Sequence, residues 1–220
     1  SGANGESSFT AVYDMVLGDD EGNTAFTITY SDLAGNPTGA VVNSTSELSV
    51  VTYDETVPTL SDVTMGSSND DNTLSKELDI ITVRITTENG PLKKPTIKIG
   101  GETAIVTPDE DGYNTYDGTY TMLSSDPGTA DGVSLTLAVT FSDLAGNDGT
   151  QVTDLLNDSD GGVEYDREDP TFTATISSNN ANVSTLAMIG DIVTVTLTAN
   201  EDIMAGNDNN PSATIAGNNA

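Results

Sequence analysis

The sequence predicts an all-β protein built of tandem β-sandwiches. Three observations predict it. One block of sequence recurs along the chain. Several stretches alternate apolar and polar residues with a period of two, as strands with one buried face do. Clusters of Gly, Asn, Asp and Ser separate these stretches at about the 8–12-residue spacing of sandwiches and barrels. No stretch carries a helical stripe.

The repeat organises the chain. Phe26-Thr-Ile-Thr-Tyr-Ser-Asp-Leu-Ala-Gly-Asn36 returns as Leu137-Ala-Val-Thr-Phe-Ser-Asp-Leu-Ala-Gly-Asn147, an offset of 111 from Asn36 to Asn147. Tyr53-Asp54 followed by Pro58-Thr59 returns as Tyr165-Asp166 followed by Pro170-Thr171, at 112. Asp79-Ile-Ile-Thr-Val-Arg-Ile-Thr-Thr-Glu88 returns as Asp191-Ile-Val-Thr-Val-Thr-Leu-Thr-Ala-Asn200-Glu201, at 112 from Asp79 to Asp191. Pro95-Thr-Ile-Lys-Ile-Gly-Gly101 returns more loosely as Pro211-Ser-Ala-Thr-Ile-Ala-Gly217, with Met204–Asn210 taking up the extra length. Four segments at nearly one offset point to duplication. The boundaries that follow are 1–58 as the C-terminal half of a repeat, 59–170 as a complete repeat and 171–220 as the N-terminal half of a repeat. Two expectations follow from that phase: the 220 residues belong to a longer array, or neighbouring copies complete the halves and give a head-to-tail polymer by strand addition.

The strands can be placed in order. Phe26, Ile28 and Tyr30 alternate with Thr27 and Thr29. Ile81, Val83 and Ile85 alternate with Thr82, Arg84 and Thr86. Leu135, Leu137, Val139 and Phe141 alternate with Thr136, Ala138 and Thr140, and Val193, Val195 and Leu197 with Thr194, Thr196 and Thr198. Abundant Thr and Val suits a pleated, half-buried surface. A unit of about 110 residues with roughly seven strands fits an immunoglobulin-like sandwich, although the Cys pair and core Trp of antibody domains are absent.

Ser31-Asp-Leu-Ala-Gly-Asn36 and Ser142-Asp-Leu-Ala-Gly-Asn147 each end a strand, and the Tyr-Asp-x-x-x-Pro-Thr segments at Tyr53 and Tyr165 open the next unit. This pattern resembles the tandem immunoglobulin-like repeats of prokaryotic surface proteins: adhesin stalks and surface-layer proteins, including those of marine archaea. The resemblance covers essentially the whole chain. It implies an extracellular, structural role at the cell surface, often with calcium as a stabiliser.

Composition narrows the chemistry. The chain has no His, no Cys and no Trp. Ser-His-Asp and Cys-His catalytic centres, His- or Cys-ligated zinc, c-type haem attachment and disulfide frameworks are therefore excluded. Net charge is −29, so nucleic-acid phosphates would meet an anionic surface. Such charge repels itself and calls for counter-cations in a compact state. With only oxygen ligands to offer, the expected cation is calcium. No apolar run reaches the length of a membrane helix.

Two acidic settings are the candidate calcium sites. The first is the repeated turn, where Asp32 with Asn36, and Asp143 with Asn147, bring two oxygens to one loop; Gly and Asn there also tolerate positive φ. The other reading is a turn in which Asp caps its own backbone, and the two are compatible because a turn can present a ligand. The second is the junctions, where Glu47, Asp54 and Glu55 approach Pro58, and Asp158, Asp160, Asp166, Glu168 and Asp169 approach Pro170. Glu88 and Glu201 end equivalent strands and join this set. Plain solvated acid is the alternative there. Asp19-Asp20-Glu21, Asn69-Asp70-Asp71 and Asp109-Glu110-Asp111 read as solvated loops, and none follows the EF-hand pattern.

Lys93, Lys94 and Lys98 form the basic spot, read either as local charge balance or as a docking point for an acidic neighbour. Asn43, Asn157 and Asn182 begin N-glycosylation sequons. Catalysis would rest on paired carboxylates with no apolar, aromatic cleft to tune them, so the chain is not expected to be an enzyme. The expected function is a self-associating, calcium-stabilised structural protein of a surface layer, sheath or filament. The alternatives are a stalk segment of an adhesin and a carbohydrate-binding module.

Overall fold

The structure is a computed structural model. It describes residues 8–37, 39, 42–45, 49–109, 114–126, 133–201, 203 and 213–219. Every described element is a strand, as the sequence predicts. Glu47, Glu110, Asp111 and the loop Met204–Asn210 lie outside the described residues.

The N-terminal segment carries two short strands, β1 (Gly22–Asn23) and β2 (Thr52–Tyr53), which pair antiparallel. The central body follows, with β3 (Leu60–Ser67), β4 (Leu74–Ser75), β5 (Ile80–Thr87), β6 (Thr96–Ile99), β7 (Glu102–Thr103), β8 (Ile105–Pro108), β9 (Thr115–Thr121), β10 (Val133–Ser134), β11 (Leu137–Thr140) and β12 (Glu164–Tyr165). Several are only two residues long, so their number exceeds the seven or so expected. The C-terminal segment has β13 (Phe172–Ser178), β14 (Val193–Ala199), β15 (Thr214–Ile215) and β16 (Asn218–Asn219).

Three sheets build the central body. The largest runs β3-β5-β9-β8, and the others run β11-β6-β7 and β10-β12-β4. Their inward residues form one core that includes Val63, Ile81, Val83, Ile85, Ile97, Tyr116, Val139 and Tyr165. The alternation in β5 therefore has its expected cause: Ile81, Val83 and Ile85 are buried while Arg84 between them is exposed. Burying such a side chain contributes about 1.5–3 kcal/mol, which is how this short-stranded body offsets its ordering entropy.

The outer segments repeat these parts without the cover. Gly22↔Tyr53 and Asn23↔Thr52 match Val133↔Tyr165 and Ser134↔Glu164. The bridge Ile28↔Val42 matches Val139↔Val152. The β13–β14 hairpin matches β3–β5, with one difference: a bulge between Leu60 and Asp62 interrupts β3, whereas β13 pairs without a break. That extra residue changes the repeat offset from 112 to 111 along this strand.

Burial departs from the expectation in both outer segments. Phe26, Ile28 and Tyr30 are exposed, and so is Leu197. Residues 26–30 hold only the Ile28 bridge instead of a strand. The equivalent β11 is a strand because β6 lies against it, from Leu137↔Ile99 to Thr140↔Thr96. An isolated edge without that neighbour has neither the hydrogen bonds nor the apolar cover that make a strand persist.

Candidate functional site

Each Asp-Leu-Ala-Gly-Asn turn closes on itself. Asp143 Oδ1 accepts the backbone N–H groups of Gly146 (2.6 Å) and Asn147 (2.9 Å), and Oδ2 accepts the Asn147 side-chain amide at 2.8 Å. Asp32 repeats this with the N–H groups of Ala34 and Asn36 and the Asn36 amide at 2.7 Å. Both oxygens of each carboxylate are thus engaged inside the turn. Gly35 and Gly146 take the positive φ, at 88° and 111°, whereas Asn36 and Asn147 do not. Asn is present for its amide, not for its backbone freedom. The geometry matches the self-capping alternative of the sequence reading.

The two turns differ in surroundings. Asp143 is only 5% exposed, whereas Asp32 is exposed. Burial pushes the Asp143 carboxyl up, but the Asn147 amide and the backbone N–H groups of Asn147, Gly146 and Ala145 outweigh it and hold it below its ordinary value. At Asp32 the Asn36 amide leads the same lowering. Asn147 also donates its amide to the Asp54 carbonyl at 3.0 Å, which ties the central turn to the first junction.

The junction acids are used in the same local way. Asp54 Oδ1 accepts the Thr56 N–H, and Asp166 Oδ1 accepts the Glu168 N–H, both at 3.0 Å. Glu55 Oε2 accepts the Gly18 N–H and the Tyr53 hydroxyl. Glu88 Oε2 accepts the Thr59 hydroxyl. Asp158 Oδ2 holds the Met65 N–H, and Asp160 Oδ2 the Asn72 amide. Asp166 and Glu168 line an open groove of about 770 Å³ with Asp70, Glu77, Asp79 and Lys76. Glu201 follows β14 and is half-buried, but the true counterpart of Glu88 is Asn200, which also pairs with the residue after its proline. Among the described residues, no three carboxylates gather into a group that could hold a metal ion.

A tyrosine–aspartate lock was hidden from the sequence reading. Tyr120 donates its hydroxyl to Asp126, whose other oxygen takes the Leu123 N–H, and Tyr165 donates to the Leu123 carbonyl. The N-terminal segment has the same lock: Tyr13 to Asp19, Val16 N–H to Asp19, and Tyr53 to the Val16 carbonyl at 3.1 Å. Its offset is 107, not 111, because the longer loop after Asp126 displaces it. Allowing that gap would have revealed Phe9-x-x-x-Tyr-x-Met-Val-x-x-Asp19 as the twin of Tyr116-x-x-x-Tyr-x-Met-Leu-x-x-Asp126. Asp19 and Glu21 are accordingly structural, not merely solvated; Glu21 Oε1 takes the Glu55 N–H and the Thr56 hydroxyl.

Burial and the Asp126 carboxylate push the Tyr120 hydroxyl up to about 12. A raised phenol value means that its stabilisation is complete below the ordinary value of 10 and is lost as pH rises through about 12. Tyr13, Tyr53 and Tyr165 are raised as well, so alkaline titration should show a late tyrosinate component that Tyr120→Phe diminishes; equal amplitudes in both proteins would contradict this.

The basic spot and the sequons are also placed. Lys93, Lys94 and Lys98 are exposed on and just before β6. Among the described residues, ion pairs are formed by Arg84, with Asp109 and Asp117. Asn43 and Asn182 are exposed. Asn157 is exposed but takes a positive φ of 58° and donates its amide to the Ser61 carbonyl at 2.8 Å. Among the described residues, no helix is long and apolar enough to cross a membrane.

No family model, no curated protein and no solved structure matches the chain.

Proposed function

We propose that the chain is a structural, extracellular, self-associating protein of tandem immunoglobulin-like repeats, the subunit of a surface layer, sheath or filament. The observation that carries this reading is the recurrence of the same all-β parts in three successive segments of one chain, as a load-bearing array requires. The turn and the lock recur before the central body and the β3–β5 hairpin recurs after it, and apolar residues buried in the central body have exposed counterparts outside. Tyr116 is 1% exposed and its counterpart Phe9 is 75% exposed; Val139 is 0% and Ile28 is 51%.

The role is mechanical, not catalytic. The acids described above serve turns, locks and junctions, which stiffen a scaffold. Calcium enters as the counter-cation, acting on carboxylates that face solvent, such as those of the groove at Asp166 and Glu168, and lowering the self-repulsion of a −29 chain. Glycans fit best at Asn43 and Asn182, where the side chains are exposed and the Ser61 tie of Asn157 is not disturbed.

Sedimentation velocity over a concentration series in millimolar calcium tests the reading. The expected result is a concentration-dependent shift to large species, reversed by a chelator. A single monomeric boundary at every concentration would leave the adhesin-stalk reading in its place. Assembly indifferent to chelator would remove calcium alone.

A further inference from the structure

Leu78 stands where the repeat calls for glycine. The turn before β5 is closed by Asp79, which takes the Lys76 N–H on its carboxylate and donates its own N–H to the Lys76 carbonyl. The turn before β14 is closed in the same way by Asp191 and Met188. The residue ahead of the closing aspartate has a left-handed backbone in both turns, with φ of 98° at Gly190 and 73° at Leu78. Glycine takes that conformation freely, whereas a leucine there is strained. Burial does not offset the strain, because Leu78 is 71% exposed. Leu123, next to the Met122 carbonyl that accepts the Leu78 N–H, is exposed as well. Backbone strain of this kind clusters at contact and ligand sites.

The surroundings of Leu78 are acidic. Glu77 and Asp79 on either side of it line the groove that also holds Asp70, Asp166, Glu168 and Asp169, six carboxylates against two cations. The complementary surface lies on the β11-β6-β7 sheet. Lys94, Thr96 and Lys98 are exposed and share one face by the period of two, while Ile97 and Ile99 turn into the core. Thr140 stands opposite Thr96 on β11. A recess of about 420 Å³ opens there, with Lys94, Thr96, Thr140, Phe141 and one carboxylate, Asp148, in its lining. Among the described residues the ion pairs belong to Arg84, so Lys93, Lys94 and Lys98 enter none. In the following repeat Asn209, Asn210 and Thr214 take their positions, counted from Pro95 and Pro211. The leucine and the lysines are both departures of the central repeat from its twin.

Resting on the self-association argued above, we propose that Leu78 of one copy seats in the Lys94–Thr96–Phe141 recess of a second copy, with the acidic groove facing Lys93, Lys94 and Lys98. The lysine stems cover the leucine while their ammonium groups meet the carboxylates. Charge complementarity selects a second copy as the occupant. Most surfaces of a −29 chain repel their own copies, and the lysine face is one that attracts an acidic groove. One copy cannot join the two surfaces within itself. Leu78 precedes β5 and Lys93 and Lys94 follow it, and the eight residues of that strand hold its ends on the order of 25 Å apart. Six carboxylates outnumber three lysines, so calcium neutralises the remainder. The contact joins different surfaces of the two copies, so it propagates into an open filament or a ring.

Charge reversal, read by sedimentation velocity in millimolar calcium, tests the pairing. One variant carries Lys94→Glu with Lys98→Glu, and the other Glu77→Lys with Glu168→Lys. All four positions are exposed, and thermal melts check that the central body is intact. Each variant alone sets like charges against each other and should need at least about tenfold more protein than wild type to form large species. Their mixture restores opposite charges at every contact and should assemble as wild type does. Leu78→Gly should weaken assembly while its melting temperature stays level or rises, because the backbone strain is relieved. Assembly of either charge variant alone at wild-type concentration, or a mixture no better than its parts, would overturn the pairing while self-association stands. A Leu78→Gly chain that assembles normally, or that melts lower, would overturn the role of Leu78 as the anchor. Absence of assembly in the wild type would overturn the proposal together with the reading on which it rests.

Discussion

Asp143→Ala should destabilise the central body by about 3 kcal/mol, because the buried carboxylate accepts several hydrogen bonds that its removal leaves unmade. Denaturant unfolding followed by tyrosine fluorescence measures the loss. Asp32→Ala removes the same pattern from an exposed turn, where water replaces the lost partner, and should change unfolding far less. Equal effects at the two sites would mean that burial does not set the strength of this turn. The pH dependence has a definite sign. The folded Asp143 carboxyl lies below its ordinary value, so the folded state binds that proton more weakly than the unfolded chain does. Its stabilisation is present above about pH 4 and is lost as pH falls through the lowered folded value. Wild-type protein should therefore lose stability in acid more steeply than Asp143→Ala does.

Gly118 and Ile97 form the second strong case. Gly118→Ala places a Cβ 2.9 Å from Ile97 Cδ1 and 3.1 Å from its Cβ, and the latter atom cannot move without the backbone of β6. The overpacking cost is about 1–3 kcal/mol. Ile97→Ala alone empties part of the core and costs about 2–5 kcal/mol. In the double variant the added methyl occupies the space that Ile97 vacates, so the two losses should not add. A coupling of about 1 kcal/mol or more is expected. The double variant should be no less stable than Ile97→Ala. Strict additivity would mean that the two positions do not share space.

The candidate site was legible in part. Asp-x-x-x-Asn could be found twice by eye and recognised as a turn. How its oxygens are engaged within the turn depended on the Asn amide, which the sequence does not orient. The sequence also suggested positive φ at both Gly and Asn, and only Gly35 and Gly146 adopt it. The Tyr13–Asp19 lock was not legible because the segment after Asp126 is longer than that after Asp19, which shifts the offset of the lock from that of the other repeated segments.

By itself the sequence determined the strand content, the alternation of Ile81, Val83 and Ile85, the repeated turns and hairpins, and the exclusion of His and Cys chemistry. All of these depend on residue type and on spacing within a few positions. Only the tertiary structure decided which equal patterns are covered. Val195 and Val83 have the same alternating neighbours in sequence, yet Val83 is fully buried because β9 and β6 lie against β5, while Val195 is half-buried with only β13 beside it. Burial is a relation to a surface distant along the chain, and no local pattern records whether that surface has arrived.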